Sequence, residues 1–538
     1  MSVRISGTTH VGLNPKRWWA LGALCLSLVV IGMDNTVLNV ALPTLSKDLG
    51  PSASQLEWIV DSYVLVFAGL LLTMGALGDR FGRKLALNAG LLIFGIGSAM
   101  SAFAPSTGVL IITRGVMGIG GALIMPSTLS IITNIFPPRE RGRAIGIWAG
   151  VSGLGIIVGP VMGGWFLENF WWGSVFLINM FVIGVALIYG RRVVPESKDP
   201  NATPLDPVGA SLSIAGVTSL VYAIIEAPSD GWTSARTFAA IGAAAVLLAS
   251  FIWWERRVEH PMLQMSFFRN PRFSAASVSI SLVFFALFGS IFLITQYLQF
   301  VLGYTPLQAG VRVMPIATLI VAAPLSARLT ERFGSKLVVG TGLLIVSAGL
   351  GLLSTVSVTS GYALVAGSLA ILGLGMGLTM APATDSIMGS LPRAKAGVGS
   401  AMNDTTRQVG GALGVAVLGS ALSSSYASSI APALRGLPAS AATLAGDSVG
   451  GATAVAATTG GSGAQALLQA AYTAFTSGMG EALLIGAGVA AAGAVVTLVF
   501  LPARASHPAG SKVGAYAVPP DAAARPRINT SRPPSRER

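Results

Sequence analysis

The sequence predicts an all-α integral membrane protein of fourteen transmembrane helices, on three observations. Of its 538 residues, 53% are hydrophobic and only 10% charged, with a mean hydropathy of +0.71, whereas a soluble domain carries roughly a quarter charged residues. Fourteen long apolar runs are divided by charged or Pro/Gly-rich breaks, and one crossing takes about 20 such residues. The cations collect between alternate runs, as they do when one side of a membrane retains them.

The first run, 18–42, follows Lys16 and Arg17 like a secretion signal. It is too long for one and lacks a small-residue cleavage site, so it reads as a retained helix. Spans two to seven cover 56–77, 85–103, 108–133, 144–166, 173–190 and 208–227. Spans eight to fourteen cover 237–254, 274–300, 307–328, 336–355, 361–388, 399–421 and 477–501. The 66 glycines suit close helix packing in lipid. Residues 426–476 are mostly Ala, Ser, Gly and Thr, with only Arg435 and Asp447 charged, which leaves two readings, a short apolar hairpin or a disordered loop. Residues 503–538 are Pro-rich and basic, a composition expected of a disordered cytoplasmic tail able to touch anionic lipid.

Of the 34 Lys and Arg, 28 lie in eight segments that a fourteen-span chain puts on one side: the N-terminus, the loops after spans 2, 4, 6, 8, 10 and 12, and the tail. Lys47, Arg236 and Arg435 fall on the other side, and Arg114, Arg312 and Arg407 within spans. Both termini are therefore expected in the cytoplasm, and the net charge of +13 is a topology signal that needs no nucleic acid. The single cysteine, Cys25, excludes an internal disulfide, a thiolate cluster and a redox pair. His10, His260 and His507 lie far apart, so no zinc constellation is visible. A Gly-x4-Gly-Lys-[Ser/Thr] loop is missing, which argues against a nucleotide-driven pump. No metal and no cofactor other than protons as coupling ion is expected, and the chain is not expected to be an enzyme.

An internal repeat divides the chain. Residues 79–85 read Asp-Arg-Phe-Gly-Arg-Lys-Leu and residues 331–337 read Glu-Arg-Phe-Gly-Ser-Lys-Leu, an offset of 252. Each copy follows an even-numbered span, so span 9 corresponds to span 1 and the pair at 208–254 is an insert. The expected organisation is a six-helix half at 1–206, an inserted helix pair at 207–256, a second six-helix half at 257–502 that includes the external loop 426–476, and the tail 503–538. Two related halves around a site at the membrane midplane are transporter architecture.

The stretch Gly75-Ala-Leu-Gly-Asp79-Arg80-Phe-Gly82-Arg83-Lys84 resembles the loop signature of the major facilitator superfamily. Three further stretches narrow the likeness: Met33-Asp34 to Pro43 in span 1, Arg114-Gly-Val-Met-Gly118-Ile-Gly120-Gly121 in span 4, and Gly153-Leu-Gly155 through Gly159-Pro160 to Gly163-Gly164 in span 5. With fourteen spans, and with Asn403-Asp404 to Gly414 in span 13, the chain is similar to the fourteen-helix drug:proton antiporters, which include quaternary-ammonium and multidrug exporters. The resemblance covers 18–425 and 477–501. It implies a major facilitator fold of two six-helix halves plus two inserted helices.

Asp34 lies near the middle of span 1, where an ionised carboxylate costs about 2.5–3.5 kcal/mol. It is the first candidate for proton coupling, as the resemblance also implies; the alternative is a carboxylate paired permanently to a neighbouring helix. Arg114, the only charge in span 4, needs a buried partner or a wet cavity, and the resemblance implies a part in proton transfer. Asp34, Asp61 and Asp404 are candidate binders of a cationic substrate, Asp61 with Glu57 four residues earlier on the same face. Asp404 can instead pair with Arg407. Asp385 and Arg312 are weaker candidates, and Trp58, Tyr63, Phe292 and Tyr297 can supply an apolar wall. Asp79, Arg80, Gly82, Arg83 and Lys84 form a candidate cytoplasmic gate, a charged latch whose cations reach acids of the other half. Gly155, Gly159, Pro160, Gly163 and Gly164 make a bendable packing surface, which in the resembling family marks exporters.

The expected function is proton-coupled antiport, exporting amphipathic, cationic drugs or toxic organic compounds across the plasma membrane by alternating access. The alternatives are a dedicated exporter of one endogenous product such as an antibiotic, and a proton-coupled metabolite importer, which the span 5 glycines disfavour. The expected partners are a small organic substrate, protons and membrane lipid, with the protein acting as a monomer.

Overall fold

The computed structural model describes residues 15–198, 205–391 and 396–502. The expected tail at 503–538 lies outside them, as do Arg4, Arg393 and Lys395. The described residues form seventeen α-helices and no strand. In chain order they are α1 (Arg17–Asp48), α2 (Ala53–Phe81), α3 (Arg83–Ala102), α4 (Thr107–Ile135), α5 (Pro138–Asn169), α6 (Ser174–Val193), α7 (Pro207–Asp230), α8 (Ala235–Glu255) and α9 (Pro271–Gln296). There follow α10 (Pro306–Arg312), α11 (Thr318–Phe333), α12 (Ser335–Leu353), α13 (Tyr362–Gly389), α14 (Ala396–Ile430), α15 (Ala439–Asp447), α16 (Val449–Thr459) and α17 (Gly461–Phe500). Thirteen segments among the described residues are long and apolar enough to cross a membrane. The fourteenth expected crossing, 144–166, lies inside the 32-residue α5.

Local chemistry sets the helix starts. Ser52 and Gln55 form a reciprocal capping box on α2, Thr305 and Gln308 form another on α10, and Ser106 and Asp206 cap α4 and α7. These side chains satisfy amide groups that no earlier turn can accept from. The repeat has a backbone reason. Gly82 (φ +134°) ends α2 and begins α3, and Gly334 (φ +83°) does the same between α11 and α12. Only glycine adopts such angles cheaply, so both Phe-Gly pairs sit at equivalent reversals.

Two expectations about elements change. Span 10 is not one helix: α10 stops at Arg312, a 3₁₀ turn covers Met314–Ala317, and α11 starts at Thr318. Pro315 lacks the amide needed to continue the ladder, a break that an apolar run does not reveal. Of the two readings of 426–476, the hairpin is the one observed: α14 and α17 extend into the segment, and α15 and α16 pack on each other between them.

Helices α1–α6 pack together through α1 against α5 and α6, and α4 against α2 and α3. Helices α9, α11–α14 and α17 pack into a second bundle. The inserted pair α7 and α8 pack on each other, and α7 lies against α2 and α14. Within a lipid phase the close contacts come from small residues. A Cβ on Gly120 would stand 2.6 Å from the Phe94 amide nitrogen, and one on Gly155 2.9 Å from the Gly32 Cα.

Candidate functional site

Asp34, buried at 4% exposure midway along α1, faces Arg114 of α4, which is 1% exposed. Arg114 Nη1 donates to Asp34 Oδ2 at 2.5 Å, a charge-assisted bond in a region with no bulk water. The guanidinium is fixed on two more sides. Its Nε donates to the Ile59 carbonyl of α2 at 3.2 Å, and it stacks 4.6 Å from the centre of the Tyr63 ring. Asp34 Oδ1 accepts from Asn179 of α6 at 3.3 Å, and the same amide reaches Ser98 Oγ of α3 at 3.2 Å. Ser98 donates onward to the Phe176 carbonyl at 2.8 Å. Side chains of α4 and α6 thus meet the α1 carboxylate directly, and α2 and α3 hold those two side chains in place.

Asp61 lies on α2, fully buried, and neither carboxylate oxygen has a hydrogen-bond partner in the structure. Glu57, one turn earlier and 1% exposed, has Ser420 Oγ of α14 at 3.4 Å; that hydroxyl also reaches the Ile224 carbonyl of α7 at 2.8 Å. Asp61→Asn is therefore expected not to lower thermal stability by more than about 1 kcal/mol, because the carboxylate has no hydrogen bond for the substitution to break. Thermal melting in detergent checks this; a clear loss of stability would mean that Asp61 is paired.

Asp404 and Arg407 meet at 3.7 Å on one face of α14, and Arg407 also lies 5.4 Å from the Phe284 ring centre. Asp385 has a side chain 78% exposed, 3.9 Å from Arg272. Arg312 stacks on Tyr304 at 3.9 Å and on Tyr362 at 5.5 Å. The four aromatics expected as a wall do not share one: Tyr63 supports Arg114, the Trp58 indole donates to Glu226 at 2.9 Å, Tyr297 donates to the Ser357 carbonyl at 2.9 Å, and Phe292 lies beside Glu57 in a small cavity.

The glycines of α5 face two ways. Gly155 and Gly163 lie on α1, whereas a Cβ on Gly164 would stand 2.5 Å from the Leu307 Cα of α10. Gly159 also lies on α1, at Met33 and Thr36, while the Pro160 backbone stands against Gly310 of α10. The smallness of Gly164 and Gly310 lets the two bundles touch there. Three further hydrogen bonds between the bundles fall at the same end of the molecule, away from the basic loops. Gln299 donates to the Val40 carbonyl at 2.9 Å, the Leu307 amide to Glu168 at 3.2 Å, and the Ala53 amide to Asp447 at 2.9 Å. At the basic end the recorded ion pairs among the described residues stay within a bundle: Arg17 with Glu140 at 2.8 Å, Arg83 with Asp79 at 2.6 Å and Arg272 with Asp385 at 3.9 Å. Lys84 Nζ donates to the Arg191 carbonyl at 3.0 Å, Glu196 packs against Gly82, and Arg80 is exposed. Of the latch cations, Arg83 and Lys84 thus engage their own bundle.

Asn179, Ser98, Ser420 and Asp447 were not among the expected site residues. Asn179 could have been found as the one amide in an otherwise apolar run; the others look like ordinary Ser or loop residues.

A multi-span helical bundle with a buried ion pair inside it, closed at one end by small-residue contacts, is a membrane transporter rather than an enzyme. The chain belongs to the major facilitator superfamily: the family description "Major Facilitator Superfamily" matches residues 24–415. It is 40% identical over 505 residues to the "Multidrug efflux pump LfrA" of Mycolicibacterium smegmatis, covering 93% of this chain and 100% of that one. It is 33% identical to the "Tetracenomycin C resistance and export protein" of Streptomyces glaucescens, over 92% and 94% of the two chains. Its fold is similar to the crystal structure of a bacterial homologue of the human lysosomal transporter Spinster in an inward-facing, unoccupied conformation, with a TM-score of 0.67 at 20% identity, covering 92% and 100%.

Proposed function

We propose that the protein is a proton-driven exporter of amphipathic organic cations in the plasma membrane. The observation that carries this reading is the Asp34–Arg114 pair, a carboxylate and a guanidinium buried together at 2.5 Å inside the bundle. Asp34 can hold a proton or face a positive charge, but not both. When a proton neutralises Asp34, Arg114 loses its counter-charge, and a buried charge without a partner is costly. The cost favours a different packing of α1, α4 and α6. A cationic substrate that displaces the proton restores the negative carboxylate. Proton and substrate therefore compete for one site, which is the minimum an antiporter needs. Asp61 and Asp404 offer further carboxylates for the cation.

The names of the relatives support export of drugs and antibiotics. With 28 of 34 Lys and Arg in the loops of the basic end and the adjoining tail, that end is cytoplasmic, along with both termini. Closure at the opposite end and the engagement of Arg83 and Lys84 within their own bundle then describe an inward-open state, with α1–α6 and α9–α17 as the rocking bodies and the monomer as the working unit. One proton entering for each monovalent cation leaving moves no net charge, so the drive is about 1.4 kcal/mol per pH unit.

The test uses inverted membrane vesicles. Imposed inside acidity should drive uptake of a fluorescent organic cation, and adding that cation should release protons from the vesicles. No response across a panel of unrelated dyes and drugs would overturn the multidrug reading. A response to a single compound would favour the second reading, a dedicated antibiotic exporter, which the tetracenomycin relative supports.

A further inference from the structure

We propose that Asp206 and Glu255 share one proton at the basic end of the inserted helix pair, and that this proton fastens the linker 256–270 that leads from the insert to the second bundle. The pair lies apart from Asp34 and Arg114, and only the side of the membrane on which it titrates rests on the topology proposed above.

Asp206 caps α7 and Glu255 ends α8, so the packing of those two helices brings together acids from opposite ends of the insert. Both are buried, Asp206 at 8% exposure and Glu255 at 3%. Three of their four oxygens are engaged. Asp206 Oδ1 accepts from the Gly209 amide at 2.8 Å and from the Trp254 indole at 2.9 Å, and the indole also reaches Oδ2 at 3.1 Å. Glu255 Oε2 accepts from the Leu263 amide at 2.8 Å. The fourth oxygen, Glu255 Oε1, is buried without a partner. It is aimed at Asp206: the position that a Cβ would take on Gly209 is 2.5 Å from Glu255 Oε1 and 2.5 Å from Asp206 Oδ2, so the two oxygens lie no farther apart than twice that distance. Glycine at 209 leaves the room in which they meet.

Among the described residues no Lys or Arg forms an ion pair with either acid. Arg256, Arg257, Glu259 and His260, next along the linker, are exposed, and Arg257 stacks on Trp253 at 4.5 Å. Helix α2 meets the linker through the uncharged Thr73, which donates to Met262 Sδ at 3.4 Å. Two neighbouring carboxylates with no cation beside them cannot both ionise in the ordinary range. One proton between them turns their repulsion into a strong, charge-assisted O–H···O⁻ bond. A metal ion fits less well, since a hard cation takes about six or more oxygens and only one here is free.

The structural effect of the proton runs through Leu263. Its amide reaches back eight residues to Glu255, which closes 256–262 into a loop on the end of α8, and Met262 in that loop rests on α2. When the proton leaves, repulsion drives Glu255 away from Asp206 and loosens the acceptor of the Leu263 amide. The open loop gives up that proton near the usual glutamate value of about 4.3, and the closed pair gives it up at a higher pH. The loop is therefore held most firmly in acid, and less firmly as pH rises between those two values. In the topology proposed above this end meets the cytoplasm, so the clasp responds to cytoplasmic pH.

The experiment is hydrogen-exchange mass spectrometry on the full chain in detergent from about pH 5 to about pH 8, following the Leu263 amide in the unaltered protein, Glu255→Gln and Asp206→Asn. Corrected for intrinsic exchange, protection in the unaltered protein should fall by at least about tenfold across that range, since one proton contributes up to a decade per pH unit. Each variant puts an amide N–H in place of the shared proton, so both should keep the protection of the acid form, constant to within about twofold. Glu255→Ala removes the acceptor and sets the unprotected level. A flat profile in the unaltered protein would overturn the proposal. So would an unchanged pH dependence in both variants, because another group would then be titrating. Loss of protection in both variants at every pH would also overturn it, because the charges rather than the proton would then hold the loop. Where a variant loses protection throughout α7 and α8, the profile of the unaltered protein still decides.

Discussion

Asp34→Asn is expected to abolish pH-driven export and to destabilise the protein at the same time. The asparagine keeps the size of the side chain but leaves the Arg114 guanidinium 1% exposed with no counter-charge. Removing one partner of a buried pair costs about 3–5 kcal/mol. The remaining contacts, the Ile59 carbonyl and the Tyr63 ring, do not neutralise it. Export in vesicles and thermal melting in detergent should therefore fall together. The double variant Asp34→Asn with Arg114→Gln separates the two effects, since stability should largely return while export should not. A single variant that exports normally would remove Asp34 from the mechanism.

The second large effect is expected from Gly164→Leu. Its Cβ alone would stand 2.5 Å from the Leu307 Cα and 2.6 Å from the Pro306 carbonyl oxygen, both of them backbone atoms that cannot swing aside. The clash falls between α5 and α10, on the seam that closes one end of the molecule. The variant should fold, because α5 still packs on α1 through Gly155 and Gly163, but the closed seam should become unfavourable. Export should drop by at least about tenfold if the strain reaches ~1.4 kcal/mol. Cysteines placed near Val40 and Gln299 should become accessible to an impermeant thiol reagent from outside. Unchanged labelling and unchanged export would show that the seam does not open during the cycle.

The membrane-spanning segments were legible because hydropathy and the distribution of Lys and Arg act over long stretches and tolerate errors of a few residues. The repeat was legible because two glycines must adopt positive φ at equivalent reversals, and few other residues can. Pro315 was present in the sequence, yet the apolar run around it hid the break, since hydropathy does not register a missing amide. The segment 426–476 gave no long apolar run and no charge pattern, so its two short helices depended on packing against α14, α17 and α1.

The site divides along the same line. Asp34 and Arg114 stood out because an ionised group in a long apolar run demands a reason. Their pairing did not, because 80 residues separate them and a sequence does not state which helix faces which. Asn179 is a neutral amide that costs little to bury once bonded, so it leaves a weak mark on composition. Asp404 offered two readings until α14 placed Arg407 beside it at 3.7 Å. Sequence alone determined that this chain crosses a membrane many times and that a few buried charges must be accounted for. Only the tertiary structure decided which of those charges neutralise each other and which, like Asp61, stay unpartnered, because the energy of a buried charge is set by the atoms within a few ångströms of it.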